Sequence, residues 1–462
     1  MSRQEVVLVP TLAQRPRPFV VPEYCKGCGR CIGSCIRGCF APGHEINAQS
    51  GLTPITLDLT NCNGCGLCID ACPEPYGLRL GSEQTWEDDG PLPRPEPVPD
   101  VAVPLPPSGP LILKGTTASA LGAVLAGCRH VFGYPITPST EGAEMMARAL
   151  PRIGGTFLQA VSEVATVNMM YGAGGAGRRC MTFTSSPGFS LMLEGISYMV
   201  GAELPAVFVN IMRGGPGLGN IGPEQADIKL VCRGLGHGNT HAIALAPASP
   251  QEMLELTMLS FELAFKYRNP VVVLGDGYLG QMTGKVTLPG QMLVPGIPEW
   301  AVYGDRSHRR NLICSVELEP ERLEQHNIHL DEKYRQIGAA EQRAELYSCE
   351  DATTVVVACN TPSQLARGAV KELRDQGAKI GLFRPITLWP FPVRDLCRAI
   401  EGACHLVVVE ASSGQLEDEV RLALSHAGVH VPPRISHVRR MGGVLPSVAE
   451  VVEHLKGLEE AG

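Results

Sequence analysis

Two runs of cysteines near the beginning of this 462-residue chain restrict what the segment around them can fold into. Both runs have the spacing C-x2-C-x2-C-x3-C; the first consists of Cys25, Cys28, Cys31 and Cys35, and the second of Cys62, Cys65, Cys68 and Cys72. This spacing is typical of thiolates that hold a [4Fe–4S] cluster. Residues 21–82 are therefore expected to form a small domain with two clusters, which passes electrons one at a time.

In two-cluster folds of this kind, the fourth cysteine of each run binds the cluster of the other run. The predicted ligands are Cys25, Cys28, Cys31 and Cys72 for cluster 1, and Cys62, Cys65, Cys68 and Cys35 for cluster 2. Pro73 follows the second run, whereas Ile36 follows the first, and an additional Cys39 lies four residues after Cys35. Cys39 is therefore an alternative to Cys35 as a ligand. Zinc is the weaker interpretation, because zinc sites usually combine C-x2-C pairs that lie far apart.

The charge and composition of the chain argue against several classes of function. The net charge is -8 and the basic residues do not cluster, which disfavours nucleic acid and anionic membranes as partners. The apolar stretches are too short to cross a bilayer, and the first residues do not have the pattern of a signal peptide. Nine of the 17 cysteines lie within residues 25–72. This distribution indicates thiolate ligands in a reducing cytoplasm rather than a disulfide framework.

Changes in pattern along the chain predict six segments. They are an N-terminal extension (1–20), the two-cluster domain (21–82), a proline-rich linker (83–110), an α/β domain (111–285), a connector (286–350) and a second α/β domain (351–462). Nine prolines among residues 91–110 exclude a helix or a central strand and predict an extended spacer. A docking site for a proline-binding partner is the alternative. Alternating strands and helices after residue 111 predict parallel sheets, whose ligands bind at the carboxyl ends of the strands.

Two glycine motifs suggest a cofactor site that their surroundings do not support. Gly172, Gly174 and Gly177 match G-x-G-x-x-G, but a predicted helix precedes them and a predicted strand follows, which is the reverse of a dinucleotide-binding turn. Gly275–Gly277 has the first residues of a thiamine diphosphate and magnesium motif, but the asparagine pair of that motif is missing near residue 300. Both are interpreted as turns.

Three loops at predicted strand ends carry side chains suited to chemistry. Thr137 lies in the rigid loop Gly133–Pro138, between two prolines. Glu163 begins a helix, where the simpler explanation is an acid that favours the helix dipole. Arg213 opens a glycine-rich loop, and its guanidinium suits bidentate binding of a carboxylate. A proline turn ahead of a helix and a surface ion pair are the simpler explanations for Thr137 and Arg213.

These loops resemble those of the 2-oxoacid:ferredoxin oxidoreductases. The resemblance rests on Gly133–Pro138, on Gly154–Glu163 and on Met212–Gly217, and it covers about residues 111–460. It is strongest to the alpha subunit of the branched-chain (2-ketoisovalerate) type. The cysteine runs resemble the small ferredoxin subunit of the same enzymes, which is here fused through the proline-rich segment.

The resemblance implies a fold and a role for each loop residue. Residues 111–285 would form a doubly wound domain that binds the pyrimidine of thiamine diphosphate, and residues 351–462 a domain like the C-terminal domain of transketolase. Glu163 matches the glutamate that hydrogen-bonds the aminopyrimidine and promotes ylid formation. Thr137 and Arg213 match residues that hold the carboxylate and keto group of the substrate. The implied reaction is the oxidative decarboxylation of a 2-oxoacid with CoA to give acyl-CoA and CO2.

The resemblance also implies partners. A beta subunit would supply the diphosphate and Mg2+ site, a gamma subunit would complete the complex, and ferredoxin or another low-potential acceptor would take the electrons. The expected assembly is a hetero-oligomer, a dimer of such protomers, in which this chain is inactive alone. Two alternatives remain: an enzyme for aryl-2-oxoacids such as phenylglyoxylate or indolepyruvate, and a non-catalytic electron-transfer subunit.

Overall fold

The structure is a computed structural model that describes residues 15–47, 50–74, 76–81, 97–304, 307–308, 311–430 and 432–461. The chain divides into two compact units, one of Met1–Pro97 with Pro298–His326 and the other of Val98–Ile297 with Asn327–Gly462. Most of the predicted N-terminal extension, residues 1–14, and residues 83–96 of the predicted linker lie outside the described part, as does residue 82. In that part, no helix is both long and apolar enough to cross a membrane.

The first unit is built around its cysteines. Its elements are β1 Pro18–Val20, α1 Arg30–Ser34, β2 Phe40–Ala41, β3 Thr56–Leu57, α2 Leu67–Ala71 and β4 Leu78–Leu80. Strand β1 pairs antiparallel with β4, and β2 pairs antiparallel with β3. The buried side chains of this unit combine a few apolar residues, such as Phe40 and Ile55, with Cys31, Cys39 and Cys68. Thiols thus occupy much of the space that a hydrophobic core would fill.

Sixteen strands follow within the residues that the structure describes, and most belong to two sheets. They are β5 Val101–Pro104, β6 Leu111–Lys114, β7 His130–Gly133, β8 Thr156–Gln159, β9 Cys180–Thr184, β10 Ala206–Met212, β11 Ile243–Leu245, β12 Pro270–Asp276, β13 Thr283–Val286, β14 Gln291–Val294, β15 Ala344–Tyr347, β16 Thr354–Val357, β17 Ile380–Pro385, β18 Thr387–Trp389, β19 His405–Glu410 and β20 Arg434–Arg439.

The helices after residue 97 mostly alternate with these strands. They are α3 Gly115–Leu125, α4 Thr140–Ala149, α5 Glu163–Gly175, α6 Ser186–Leu191, α7 Leu193–Gly201, α8 Ile228–Arg233, α9 Pro250–Tyr267, α10 Gly277–Gln281, α11 Pro320–Ala340, α12 Asn360–Asp375, α13 Val393–Ala399, α14 Gln415–His426 and α15 Val448–Ala461. Gly172 and Gly174 lie inside helix α5 rather than in the predicted turn after it, and Gly177, with a φ of 67°, lies in the turn that leads to strand β9.

A seven-stranded sheet has the order β18-β11-β12-β10-β9-β7-β8. All of its pairs are parallel except β18 with β11. Every residue of β10 and β12 is buried, as expected for central strands covered on both faces. The prediction of a parallel α/β sheet is therefore confirmed. The carboxyl ends of β7 to β10 lie at one edge, where the three candidate loops begin.

A second sheet has the order β15-β17-β16-β19-β20 and is parallel except for its edge strand β15. Its hydrophobic core includes Val356, Leu382 and Val407, which are fully buried. Strand β15 comes from the predicted connector, so this sheet begins before the predicted boundary at residue 351. Strand β18, from the same C-terminal part of the chain, pairs with β11 of the first sheet. The chain therefore passes from strand β17 of the second sheet to strand β18 at the edge of the first.

The end of the proline-rich segment is extended but is not a free spacer. Strand β5 pairs antiparallel with β14 in a two-stranded ribbon. Asp100 accepts a hydrogen bond from Gly296 N (2.8 Å) and forms an ion pair with Arg179 (2.6 Å). Proline lacks an N–H donor but is tolerated on an edge strand, which explains how such a segment can pair with a neighbouring strand.

Candidate active site and cluster cavities

Two small cavities in the first unit are lined by cysteines. One is lined by Cys25, Cys28, Cys31 and Cys72, and the other by Cys35, Cys39, Cys62, Cys65 and Cys68. The fourth cysteine of each run thus lies in the cavity of the other run, as the crossover pattern predicts. The assignment of individual ligands stays a prediction, because Cys39 shares the second cavity with the four expected thiols.

The backbone around these cavities suits an anionic cluster. Gly27 and Gly64 have φ values of 64° and 65°, a left-handed conformation that lets the chain turn between the first two cysteines of each run. Backbone N–H groups donate to sulfur, with Ile55 N 3.4 Å from Cys25 Sγ and Gly64 N 3.5 Å from Cys62 Sγ. Four thiols around one cavity and five around the other fit the ligands of two four-iron clusters.

Substitution of the two candidate ligands distinguishes Cys35 from Cys39. We expect Cys35→Ala to lose most of the iron of cluster 2, because Cys35 completes its four thiolates, whereas Cys39→Ala should retain about eight irons per chain. Iron and sulfide analysis with electron paramagnetic resonance (EPR) of the reduced chain measures both. Cys404→Ala, at an exposed cysteine, is the control. Loss of cluster 2 only in Cys39→Ala would reverse the assignment.

Glu163, one of the three candidate residues, lies shortly after the end of strand β8. It is the first residue of α5, which Ser162 caps by accepting a hydrogen bond from Ala165 N (3.2 Å). The side chain of Glu163 is only 5% exposed. A Cβ atom on Gly188 would lie 2.6 Å from Glu163 Oε1. Glycine at position 188 therefore leaves the space that the carboxylate needs.

The structure brings Arg213 and Thr137 together. Arg213 follows β10, and its buried guanidinium donates from Nη1 to the Thr137 carbonyl (2.9 Å) and from Nη2 to the Leu218 carbonyl (3.1 Å). Arg213 Nε is buried and has no hydrogen-bond partner among the described residues. Thr137 itself is exposed. The guanidinium is thus fixed by two carbonyls, and each Nη keeps a second N–H for a ligand.

The beginning of helix α6, which the sequence did not single out as part of a site, lies near both Glu163 and Arg213. It contains Ser186 and Gly188 and follows strand β9. Ser186 Oγ accepts the Arg213 backbone N–H (3.1 Å), and the Ser186 hydroxyl also contacts the buried carboxylate of Asp227. Burial raises the pKa of Asp227, and hydrogen bonds from Ser186 and Asn210 oppose that shift. A Ser-Pro-Gly sequence after a buried strand is the signal that could have identified this beginning of α6 as part of the site.

Asp276 has a structural role at the end of β12. Its buried carboxylate caps α10 by accepting from Tyr278 N (3.0 Å) and Leu279 N (2.9 Å). It also accepts from Thr361 N (2.9 Å) and Thr361 Oγ1 (2.8 Å). These donors satisfy the buried carboxylate within the fold, with three hydrogen bonds to Oδ1 and one to Oδ2. The turn predicted at Gly275–Gly277 is in fact the junction of strand β12 and helix α10.

Four profiles of known protein families match parts of the chain. Residues 121–347 match the profile of a family described as pyruvate flavodoxin/ferredoxin oxidoreductase, thiamine diphosphate-binding. Residues 352–451 match pyruvate:ferredoxin oxidoreductase core domain II. Residues 22–38 and 55–74 each match a 4Fe-4S binding domain.

Two relatives and one solved structure are similar over most of the chain. The ketoisovalerate oxidoreductase subunit VorB of Methanothermobacter thermautotrophicus is 48% identical over 347 residues, which are 75% of this chain and 97% of VorB. The 2-oxoglutarate synthase subunit KorA of the same organism is 36% identical, over 70% of this chain and 93% of KorA. The 2-oxoglutarate:ferredoxin oxidoreductase from Magnetococcus marinus, solved with 2-oxoglutarate, coenzyme A and succinyl-CoA bound, is 25% identical. It superposes with a TM-score of 0.66 over 85% of this chain and 69% of its own.

Proposed function

The chain belongs to the family of 2-oxoacid:ferredoxin oxidoreductase subunits, and we propose that it catalyses, with partner subunits, the oxidative decarboxylation of a branched-chain 2-oxoacid. One 2-oxoacid and one CoA thiol would give one acyl-CoA, one CO2, one proton and two electrons. The electrons would leave one at a time through the two [4Fe–4S] clusters. The observation that carries the proposal is the combination of Glu163 and Arg213 at one sheet edge with two cysteine-lined cavities in the same chain.

Glu163 would hold the pyrimidine ring of thiamine diphosphate. A nearly buried carboxylate at a strand end can form a strong hydrogen bond to a ring nitrogen and stabilise its protonated form. The bound cofactor supplies the nucleophilic carbon and the electron sink for decarboxylation. Because the asparagine pair of the diphosphate motif is missing near residue 300 and Asp276 caps α10, we assign the diphosphate and Mg2+ to a partner beta subunit.

Arg213 would bind the carboxylate of the substrate, with Thr137 beside it. The second N–H on each Nη atom offers a bidentate contact. Two apolar side chains of the loop that follows Arg213 are exposed: Leu218 is 82% exposed and Ile221 is 62% exposed. Arg213 is the sole basic residue in residues 213–224, so this loop offers no second cation for a dicarboxylic acid. Together with the higher identity to VorB than to KorA, this supports a branched-chain substrate.

The partner beta subunit would dock at the same sheet edge. Val161, next to Glu163, is 87% exposed, and Leu218 is similarly exposed. Exposed apolar side chains grouped beside a functional site are typical of protein interfaces. We propose a hetero-oligomer with beta and gamma subunits that forms a dimer of protomers in the cytoplasm, where thiolate ligands stay reduced, and that passes electrons to ferredoxin or a similar acceptor.

A substrate panel tests the proposal. The complex is assayed anaerobically for CoA-dependent viologen reduction with 3-methyl-2-oxobutanoate, pyruvate, 2-oxoglutarate, phenylglyoxylate and indolepyruvate. We expect the highest kcat/KM for the branched-chain acid, by about 10-fold or more over 2-oxoglutarate, whose distal carboxylate would be buried unpaired. A preference for phenylglyoxylate or indolepyruvate would favour the aryl-2-oxoacid alternative. No turnover with any 2-oxoacid would favour a non-catalytic electron-transfer subunit.

A further inference from the structure

The Arg213 loop, residues 213–224, is a closed turn whose shape sets the position of the guanidinium. Arg213 pairs with Pro223 in an antiparallel bridge, and Gly214 N donates to Gly222 O (3.0 Å). The carbonyl of Leu218, at the tip of this turn, accepts from Arg213 Nη2 (3.1 Å). Any displacement of the tip therefore moves one of the two carbonyls that hold the guanidinium.

The C-terminal part of the chain holds this loop through a glycine turn after β20, residues 441–443. Glu224 Oε2 accepts from Gly442 N (3.1 Å) and from Gly215 N (3.1 Å). Asn220 Nδ2 donates to Gly442 O (2.9 Å). Both polar groups of Gly442 are thus bonded to side chains of the Arg213 loop, while Glu224 also ties the start of the loop to its end.

The close approach of these two segments depends on glycine. Gly442 and Gly443 have φ values of 69° and 90°, a conformation that residues with a Cβ atom rarely adopt. A Cβ atom on Gly443 would lie 2.6 Å from Asn220 Oδ1, and one on Gly222 would lie 2.8 Å from Gly443 Cα. The turn therefore fits against the Arg213 loop only without side chains at these positions.

Burial of the Glu224 carboxylate costs free energy unless hydrogen bonds satisfy it. It is 7% exposed, and burial raises its pKa, whereas the N–H groups of Gly215 and Gly442 act in the opposite direction. Its carboxylate accepts from backbone N–H groups on two separate segments. A buried carboxylate is tolerated when such donors satisfy it. Because the donors lie on two segments, Glu224 holds these segments together.

We propose that Glu224, Asn220 and the turn at residues 441–443 form a clasp that positions Arg213 for the carboxylate of the substrate. Glu224 is in this sense a positioning residue. The proposal rests on the proposed function of Arg213, and through Arg213 it gives the C-terminal α/β domain a part in substrate binding.

Kinetics of the reconstituted complex test the clasp. Glu224→Ala should lower kcat/KM for the branched-chain 2-oxoacid by about 10- to 100-fold, mostly through a higher KM, because small displacements of a binding group have effects of that order. Glu224→Gln keeps an amide oxygen for both N–H donors and should stay within about 3-fold of wild type. Gly443→Ala, which disturbs the clasp from the other side, should reproduce the KM effect. The control is Glu350→Ala, at an exposed glutamate.

Hydrogen exchange separates failure of the clasp from failure of the proposed function. In Glu224→Ala, the amides of Gly214, Gly215 and Gly442 should exchange faster while the rest of the chain is unchanged. This result is expected even if Arg213 binds no 2-oxoacid. Unchanged exchange at these amides, a wild-type KM in both Glu224→Ala and Gly443→Ala, or equal damage by Glu224→Gln and Glu224→Ala would overturn the proposal.

Discussion

Replacement of Glu163 by glutamine should reduce 2-oxoacid- and CoA-dependent viologen reduction by about 1,000-fold, the order of effect for loss of a positioned acid–base group. Glutamine has nearly the same size, so it should fit the space beside Gly188, but it cannot hold a proton for the pyrimidine ring. Initial rates of the reconstituted complex measure the loss. Both clusters should remain, because Glu163 has no part in the cysteine-lined cavities.

Two controls make the result specific. Glu350→Gln, at an exposed glutamate, should retain full activity. Iron content and dithionite reduction of Glu163→Gln should equal those of wild type, which would exclude misfolding as the cause. Full activity in Glu163→Gln would remove this residue from the mechanism.

Replacement of Arg213 by alanine should lower kcat/KM by about 100-fold or more, since loss of one partner of a buried charge pair costs about 2–5 kcal/mol. Lysine should rescue little, because an ammonium group cannot reproduce both the bidentate contact and the hydrogen bonds to the carbonyls of Thr137 and Leu218. Rates across a range of 2-oxoacid concentrations measure the effect on KM and kcat separately.

The matched control for this variant is Arg398→Ala, which removes an arginine with a 74% exposed side chain. Its kinetics should equal those of wild type. If Arg213→Ala has an unchanged kcat/KM, the carboxylate of the substrate is bound elsewhere. If Arg213→Ala also loses iron, its effect on the fold extends beyond the sheet edge.

The parts of the fold that depend on local pattern could be predicted from the sequence. The apolar run Ala206–Met212, interrupted only by Asn210, predicts a buried strand, and these are the bounds of β10. Apolar periodicity over residues 188–200 predicts one helix, whereas the structure has two, α6 and α7, which meet at Met192. Apolar periodicity continues through that break, so the pattern alone does not reveal it.

Pairings between distant segments could not be predicted. Strands β15 and β18 are short edge strands, and their partners are set by tertiary packing rather than by their own sequence. The same distinction between local and distant signals applies to the residues of the candidate site. Glu163 and Arg213 stand out because they follow predicted strands. Glu224 contacts Gly442 across 218 residues of sequence, and no local pattern indicates such a contact.

The most direct test of the account is whether the 2-oxoacid reduces the clusters of this chain. The anaerobic complex is mixed with 3-methyl-2-oxobutanoate and CoA, frozen within one turnover and examined by EPR. The account predicts signals of reduced [4Fe–4S] clusters in the wild type and none in Glu163→Gln, although dithionite reduces both. Formation of acyl-CoA in the wild type while these clusters stay oxidised would contradict it.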